Sequence, residues 1–170
     1  MGTRKKILFL IIVSFIIINY SINTFLKPAT VSYEGINTEL SLKDNVEVFF
    51  DDYGVPSVFA QNDSDMFKVA GYLGARDRLF QMSFMKYAYK GHLSLVVNDT
   101  LFAEDRFLRT LGFEKTAKKT LDKVSPEIMK HLEDTCYGIN AYVQNLSPAE
   151  YPLEFKLLQI KELPVFEPPK

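Results

Sequence analysis

The sequence predicts an α+β chain in three parts: an apolar N-terminal helix, one β-hairpin and a mostly helical body. The first part is indicated by Ile7–Ile18, in which Ser14 is the only polar residue. Two short runs rich in β-branched and aromatic residues flank Gly54 and Pro56, which predicts the hairpin. Beyond residue 62, apolar residues recur at spacings of three, four or seven, as they do on one face of a helix.

Residues 1–27 are predicted to form a signal peptide or a signal-anchor helix, and residues 28–45 a polar connector. The basic run Arg4–Lys6 before a short apolar stretch fits a signal peptide. The charge-free segment 7–26 has about the length that spans a bilayer and has no small-residue cleavage site, which favours a membrane anchor. In both cases the rest of the chain faces outward, either held at the membrane or released to the periplasm or cell exterior.

The hairpin is predicted from a strand over Val46–Asp52, a turn at Tyr53–Pro56 and a second strand over Ser57–Ala60. Glycine supplies a positive φ at such a turn, and proline interrupts the ladder of hydrogen bonds.

Two long helices follow, with shorter helical pieces over 92–97, 104–111 and 113–123 and after Ser147. The first begins at Asn62–Asp65, whose side chains suit a helix N-terminus, and ends at Gly91. The second begins at Ser125-Pro126 and runs to about residue 144. The predicted buried stripes are Met66, Val69, Ala70, Leu73, Phe80, Phe84 and Tyr87 on the first helix, and Ile128, Leu132, Cys136, Ile139 and Val143 on the second. Gly71 and Gly74 are candidates for close packing against another element.

Charge and composition exclude several function classes. The 170 residues are 47% hydrophobic and 14% aromatic, which supports a buried core and excludes a disordered chain. Apart from Arg4–Lys6 and Lys27, the chain holds 16 basic and 21 acidic residues. No nucleic-acid partner is expected, because neutralising phosphates requires a basic surface.

The residues that commonly perform catalysis are sparse. Cys136 is the single cysteine, and His92 and His131 lie far apart in the sequence, so no zinc enzyme, metal site or cofactor is expected in this chain. Cys136 is interpreted as a small core residue and His92 as a solvated or capping residue near a helix end. The sequence contains neither a Gly-rich phosphate loop nor a Ser-His-Asp set in motif context.

One cluster of charges is expected to need ion-pair partners from elsewhere in the chain. Arg76, Asp77 and Arg78 interrupt the apolar face of the first long helix, and a buried charge must be paired. The candidate partners are Asp105, Arg106 and Arg109. The cluster could bind a substrate or fix the crossing of two helices, and the second interpretation is favoured because no nucleophile accompanies it. If Asp77 faces inward, we expect it to pair with Arg106 or Arg109.

The order of three motifs resembles the N-terminal, α-chain part of the penicillin acylase (penicillin amidase) family of N-terminal nucleophile hydrolases. The motifs are VEVFFDDYGVPSVFA at 46–60, GYLGARDRLFQM at 71–82 and DRFLRTLG at 105–112. The sequence departs from the family pattern at Ser57, Phe80 and His92, where the family often has His, Trp and Arg. Residues 46–170 are accordingly predicted to be a partial penicillin acylase α-chain domain.

The resemblance implies part of an αββα fold and hydrolysis of acyl amides such as penicillins, cephalosporins or N-acyl homoserine lactones. It places the catalytic serine at the N-terminus of a β-chain from the same precursor, so no catalytic residue is expected in this chain, which alone should be inactive. Calcium is possible in the full-length enzyme, with ligands mostly on the β-chain. The alternative is a membrane-tethered helical module that binds or scaffolds without chemistry.

Overall fold

The computed structural model describes residues 3–26 and 33–169, with side chains from 6 to 23 and from 33 to 169. The chain divides into two units, residues 1–30 and 31–170, which are described separately.

The first unit contains one helix, α1 (Thr3–Leu26). Its segment Lys6–Asn23 has a mean hydropathy of 2.0 and is long and apolar enough to cross a membrane. None of that segment is buried. By length and composition α1 therefore fits a signal sequence as well as an anchor, as the sequence predicts.

The second unit begins with the predicted hairpin. Strands β1 (Glu47–Phe50) and β2 (Pro56–Phe59) pair antiparallel, with Val48 opposite Val58. Oδ1 of Asp51 accepts hydrogen bonds from the backbone N–H groups of Tyr53 and Val55 at 2.9 and 2.8 Å, which closes the turn. The first strand is shorter than predicted, whereas the second has the predicted length but begins one residue earlier, at Pro56, a position where proline is tolerated in a sheet.

The remaining elements are helices. They are α2 (Asp63–Lys90), α3 (Leu93–Val96), α4 (Phe102–Leu111), α5 (Phe113–Leu121), α6 (Pro126–Asn145) and α7 (Leu153–Leu157), with 3₁₀ turns at Asp99–Leu101 and Pro148–Glu150. The predicted caps are confirmed: Asn62 accepts a hydrogen bond from the N–H of Asp65, and Ser125 accepts one from the N–H of Ile128. Gly91 ends α2 with a φ of 64°. Inside α2, Arg78 has non-helical angles, so the helix is kinked there.

Helices α2 and α6 cross at a contact between two glycines and the opposing backbones. A Cβ atom on Gly71 would lie 2.2 Å from the carbonyl oxygen of Thr135, and one on Gly138 would lie 1.9 Å from that of Lys68. A Cβ on Gly74 would meet nothing within 4 Å. Close packing is therefore confirmed for Gly71, whereas the same prediction for Gly74 is wrong.

This crossing shifts the buried faces from the predicted ones. On α6 the buried residues are Asp134, Gly138 and Ile139, whereas Ile128 and Leu132 are exposed. On α2, Val69 and Leu73 are buried as predicted, but Ala70 is exposed. The predictions assumed that bulky side chains face the partner helix, whereas the two backbones approach each other directly.

The core lies where α2, α6 and α7 meet, around Ala75, Leu79, Ile139 and Phe155. The segment after α7 packs back on this core. The Asn140 amide donates to the carbonyl oxygen of Phe166 at 2.7 Å and accepts from its N–H at 2.8 Å.

Candidate functional site

The buried charged residues among 33–169 are three aspartates, Asp65, Asp105 and Asp134. Two of them bind backbone N–H groups of other segments and so position those segments. Oδ1 of Asp134 accepts a hydrogen bond from Lys130 at 2.8 Å, while its Oδ2 is buried without a hydrogen-bond partner.

Asp65, in the first turn of α2, holds the segment before the hairpin. Its carboxylate accepts hydrogen bonds from the N–H groups of Lys43 and Asp44, at 2.9–3.1 Å, and from the Asn62 amide at 2.8 Å. Burial by itself raises the pKa of Asp65, but these hydrogen bonds and the Lys68 ammonium outweigh it and lower the pKa to about 2. The carboxylate is therefore charged at neutral pH, which its hydrogen-bond donors require.

The predicted connector is bound to α2 and α6 over residues 37–44. The Tyr72 hydroxyl donates to Glu39 at 2.6 Å and accepts from the Asn37 amide at 2.8 Å. The Tyr137 hydroxyl accepts from the Ser41 N–H at 3.3 Å. Burial and the Glu39 carboxylate raise the pKa of Tyr72 to about 12, so it stays a donor. This part of the connector is thus structural, and residues 28–32 lie outside the described residues.

Asp105 and Arg109, one turn apart on α4, hold the segment that follows α2. Asp105 accepts hydrogen bonds from the N–H groups of Leu93 and Ser94 at 2.7 and 2.8 Å, and from the Ser94 hydroxyl at 2.6 Å. Nε of Arg109 donates to the carbonyl oxygen of Gly91 at 2.9 Å. Burial raises the pKa of Asp105, but its hydrogen bonds to Ser94 and Leu93 prevail and lower it. Asp105 thus caps α3, and the side chain of the adjacent His92 makes no capping bond.

Arg76 joins α2 to the hairpin. Its guanidinium lies 5.3 Å from the ring centroid of Tyr33 and 4.7 Å from that of Phe50, and its side chain is only 10% exposed. The two rings themselves pack edge to face. Cation–π contacts of this kind are strongest where the cation is shielded from water.

The expected pairing of Asp77 is wrong. Asp77 binds its neighbour Arg76, with Nε to Oδ1 at 2.8 Å, and its side chain is 34% exposed. Arg106 is exposed and Arg109 binds Gly91 instead, so neither reaches Asp77. Arg78 is exposed and donates to Gln81 at 3.2 Å. Of the three charges, Arg76 is the one that turns inward, and Asp77 with the two aromatic rings partners it, so no charge from α4 is needed.

No pair of nucleophile and base is assembled within residues 33–169. The imidazoles of His92 and His131 make no hydrogen bond to a serine, threonine or cysteine there. Burial raises the pKa of the half-buried Cys136 thiol, which is the opposite of an activated nucleophile. The Ser83 hydroxyl is buried and donates to the carbonyl oxygen of Leu79.

Two surfaces of the second unit expose large apolar side chains. On the hairpin, Phe49 and Phe59 pack edge to face at 5.7 Å and are both about 60% exposed. We call this pair the outer hairpin face. On α4 and at the start of α5, the exposed residues Phe107, Leu111 and Phe113 form what we call the α4–α5 face. Exposed aromatic clusters of this kind mark interaction surfaces.

A further group of polar side chains converges where α2 and α6 begin. Ligand atoms of Asp63, Glu127 and His131 all lie within 4.8 Å of one another. The His131 ring stacks on Phe67 with centroids 4.1 Å apart. The sequence alone does not reveal this group, because the crossing of the helices brings Asp63 to the other two residues. The available signal was the spacing of Glu127 and His131, which is one helical turn.

Comparison with known proteins identifies the family. Residues 45–169 match the family model for penicillin amidase, so the chain belongs to that family. It is 28% identical over 113 residues to penicillin acylase 2 proenzyme of Pseudomonas sp. strain SE83, and 28% identical over 109 residues to the acyl-homoserine lactone acylase QuiP of Pseudomonas aeruginosa. These matches cover 66% and 64% of this chain but 14% and 13% of the two relatives.

A solved structure agrees. The thermostable penicillin G acylase from Alcaligenes faecalis matches with a TM-score of 0.62 and 28% identity, over 73% of this chain and 65% of that chain. The hairpin, α2 and the Asp105–Arg109 pair all lie inside the family match. The chain thus corresponds to a small N-terminal part of its longer relatives, with a mostly helical fold and a two-stranded sheet.

Proposed function

We propose that this chain is the α-chain portion of an exported amidase, which hydrolyses the carbon–nitrogen bond of acyl amides with a serine on a β-chain from the same precursor. The family match over residues 45–169 carries the proposal. The relatives' names point to penicillins and N-acyl homoserine lactones as substrate classes. The absence of a nucleophile–base pair in residues 33–169 supports placing the chemistry elsewhere.

The resemblance implies a mechanism in which the serine hydroxyl attacks the amide carbonyl while the same residue's α-amine takes the proton. This is sound chemistry, because an α-amine has a pKa of about 7.7–8.0 and can act as a base near neutral pH. Hydrogen-bond donors then stabilise the tetrahedral oxyanion. In this account the present chain supplies a frame and no reacting group.

The frame consists of the segments that Asp65, Asp105 and Arg76 fix in place. Asp65 holds the connector, Arg76 packs against the hairpin, and Asp105 holds α3. We propose that the outer hairpin face and the α4–α5 face then bind the β-chain. Among the residues that the structure describes, β1 and β2 pair only with each other, and open strand edges readily accept further strands.

We further propose that α1 directs the chain out of the cytoplasm and keeps it at the membrane. The support is the apolar segment Lys6–Asn23 behind a basic start. If the mature protein instead starts beyond α1, a signal peptidase has removed the helix, and the protein is released to the periplasm or the cell exterior.

The test compares the 170-residue chain alone with the chain expressed together with the reading frame that follows it. Hydrolysis of phenylacetyl and long-acyl anilides is measured, and mass spectrometry identifies new N-termini. We expect no turnover by the chain alone, and turnover by the longer product after self-cleavage exposes an N-terminal serine. Turnover by the chain alone that a point substitution abolishes would contradict the proposal, and a stop codon after residue 170 would favour the non-catalytic tethered module.

A further inference from the structure

We propose that Asp63, Glu127 and His131 form a binding site for a divalent transition-metal ion of the zinc class. The site would link the first turn of α2 to the first two turns of α6. It shares no residue with the surfaces assigned above to the β-chain and does not depend on the proposed amidase activity.

The geometry is close to what a metal requires. Zinc–ligand distances of about 2.0–2.2 Å put tetrahedral ligand atoms roughly 3.4 Å apart. The three ligand atoms here are within 4.8 Å of one another, so small side-chain rotations would close the site. Glu127 and His131 are one turn apart on α6 and therefore lie on the same face, while Asp63 comes from the other helix.

The three side chains are free to serve as ligands. Among residues 33–169, neither the Asp63 and Glu127 carboxylates nor the His131 imidazole makes a side-chain hydrogen bond or ion pair. The nearby cations are otherwise engaged, since Lys130 binds Asp134 and Lys68 binds Asp65.

The ligand set selects the class of ion. One imidazole nitrogen with two carboxylate oxygens suits zinc and its neighbours, whereas calcium takes six to eight oxygen ligands. Stacking on Phe67 restricts the orientation of the His131 ring, which lowers the entropy lost on binding. Three protein ligands leave a fourth position for water.

The experiment titrates the full 170-residue chain in detergent, without a polyhistidine tag and after treatment with a chelator. Calorimetry with ZnCl₂ measures stoichiometry, and CoCl₂ reports coordination through its visible absorption. We expect one ion per chain, a rise in Tm with zinc and no response to CaCl₂ at the same concentration.

Two sets of variants make the result specific. His131→Phe retains the aromatic stack on Phe67 but lacks the nitrogen, and it should abolish the cobalt spectrum and the zinc-dependent rise in Tm. Asp63→Asn and Glu127→Gln should each weaken binding at least tenfold. His92→Ala, which removes the other histidine, should leave binding unchanged.

The proposal is overturned if zinc does not bind saturably, because Asp63 and Glu127 then serve only the N-termini of α2 and α6. It is equally overturned if His131→Phe binds zinc as the parent chain does, or if His92→Ala abolishes binding. Circular dichroism of each variant without metal shows whether its helical content is retained.

Discussion

Two regions of the second unit differ in how far their side chains are buried. One is the α2–α6 crossing, and the other comprises the outer hairpin face and the α4–α5 face. At the crossing, glycines allow direct backbone contact, and the buried Asp65 carboxylate of α2 is hydrogen-bonded within the chain. On the outer hairpin face and the α4–α5 face, aromatic side chains remain exposed to solvent. The first region is packed within the chain itself, whereas the second exposes the apolar side chains that we propose a β-chain covers.

The largest expected loss of stability comes from a substitution that adds atoms between α2 and α6 where they cross. Gly138→Ala places a Cβ against the carbonyl oxygen of Lys68, and backbone cannot move aside as a flexible side chain does. We expect a loss of more than about 3 kcal/mol in the free energy of unfolding, at the upper end for overpacking. Thermal or urea unfolding of the chain in detergent measures it.

Gly74→Ala is the matched control for this experiment. It lies on the partner helix α2 with open space around it, so the change should leave stability unchanged or raise it by up to about 1 kcal/mol, the helix propensity difference between glycine and alanine. Equal losses for the two variants would show that glycine content, and not the crossing, determines stability.

Asp65→Asn should give the next largest loss of stability. It should also change how the stability of the chain depends on pH in the acidic range. Replacing the carboxylate weakens charge-assisted hydrogen bonds, each worth about 1.5–3 kcal/mol. The pKa of Asp65 is about 2 in the folded chain against 3.8 ordinarily. Its contribution is therefore complete above about pH 4 and is lost as the pH falls towards 2.

Unfolding midpoints measured between pH 2 and 7 test this expectation. The parent chain should lose more stability over that acidic window than Asp65→Asn does. Parallel curves for the two proteins would contradict the assigned role of the carboxylate.

The next comparison is between two aspartates: Asp105, a buried carboxylate that caps a helix, and Asp77, part of an exposed ion pair. Each is replaced by asparagine. Asp105→Asn weakens the hold on Leu93 and Ser94 and should lower the Tm clearly, with faster proteolysis between α2 and α4. Asp77→Asn removes a partly exposed pair with Arg76, a type worth about 0–1 kcal/mol. A larger Tm loss for Asp77→Asn would restore the inward role that the sequence suggested.

The smallest effect on the isolated chain is expected from Phe49→Thr on the outer hairpin face. The exposed ring contributes little there, so stability should change by no more than about 0.5 kcal/mol. In the complete protein the same substitution should lower the yield of mature enzyme, measured as the ratio of processed chain to precursor. Normal maturation of the Phe49→Thr variant would show that the outer hairpin face does not contribute to the proposed contact with the β-chain.

The sequence was most informative where structure depends on local signals. The hairpin turn follows from Gly54 and Pro56, and the helix starts from Asn62 and Ser125, because caps and turns involve only neighbouring residues. The family motifs likewise identified the family, which the comparisons confirmed together with a mostly helical fold that contains a two-stranded sheet.

What the sequence did not reveal depends on tertiary contacts. The buried faces of α2 and α6 were partly wrong, because apolar periodicity cannot show that Gly138 rather than a bulky residue faces the partner helix. Asp105 was assigned to an ion pair, whereas its partners are backbone N–H groups, which every residue except proline has. The meeting of Asp63 with His131 depends on where two helices cross, and a sequence does not specify that.

Hydrogen–deuterium exchange of the chain, resolved by peptide, tests most directly whether one region is complete and the other is not. We expect strong protection in α2 and α6 around Gly71 and Gly138, and rapid exchange in β1, β2 and α5. When the chain is part of the mature full-length protein, β1, β2 and α5 should become protected while α2 and α6 change little. Equal protection of both regions in the isolated chain would contradict the account.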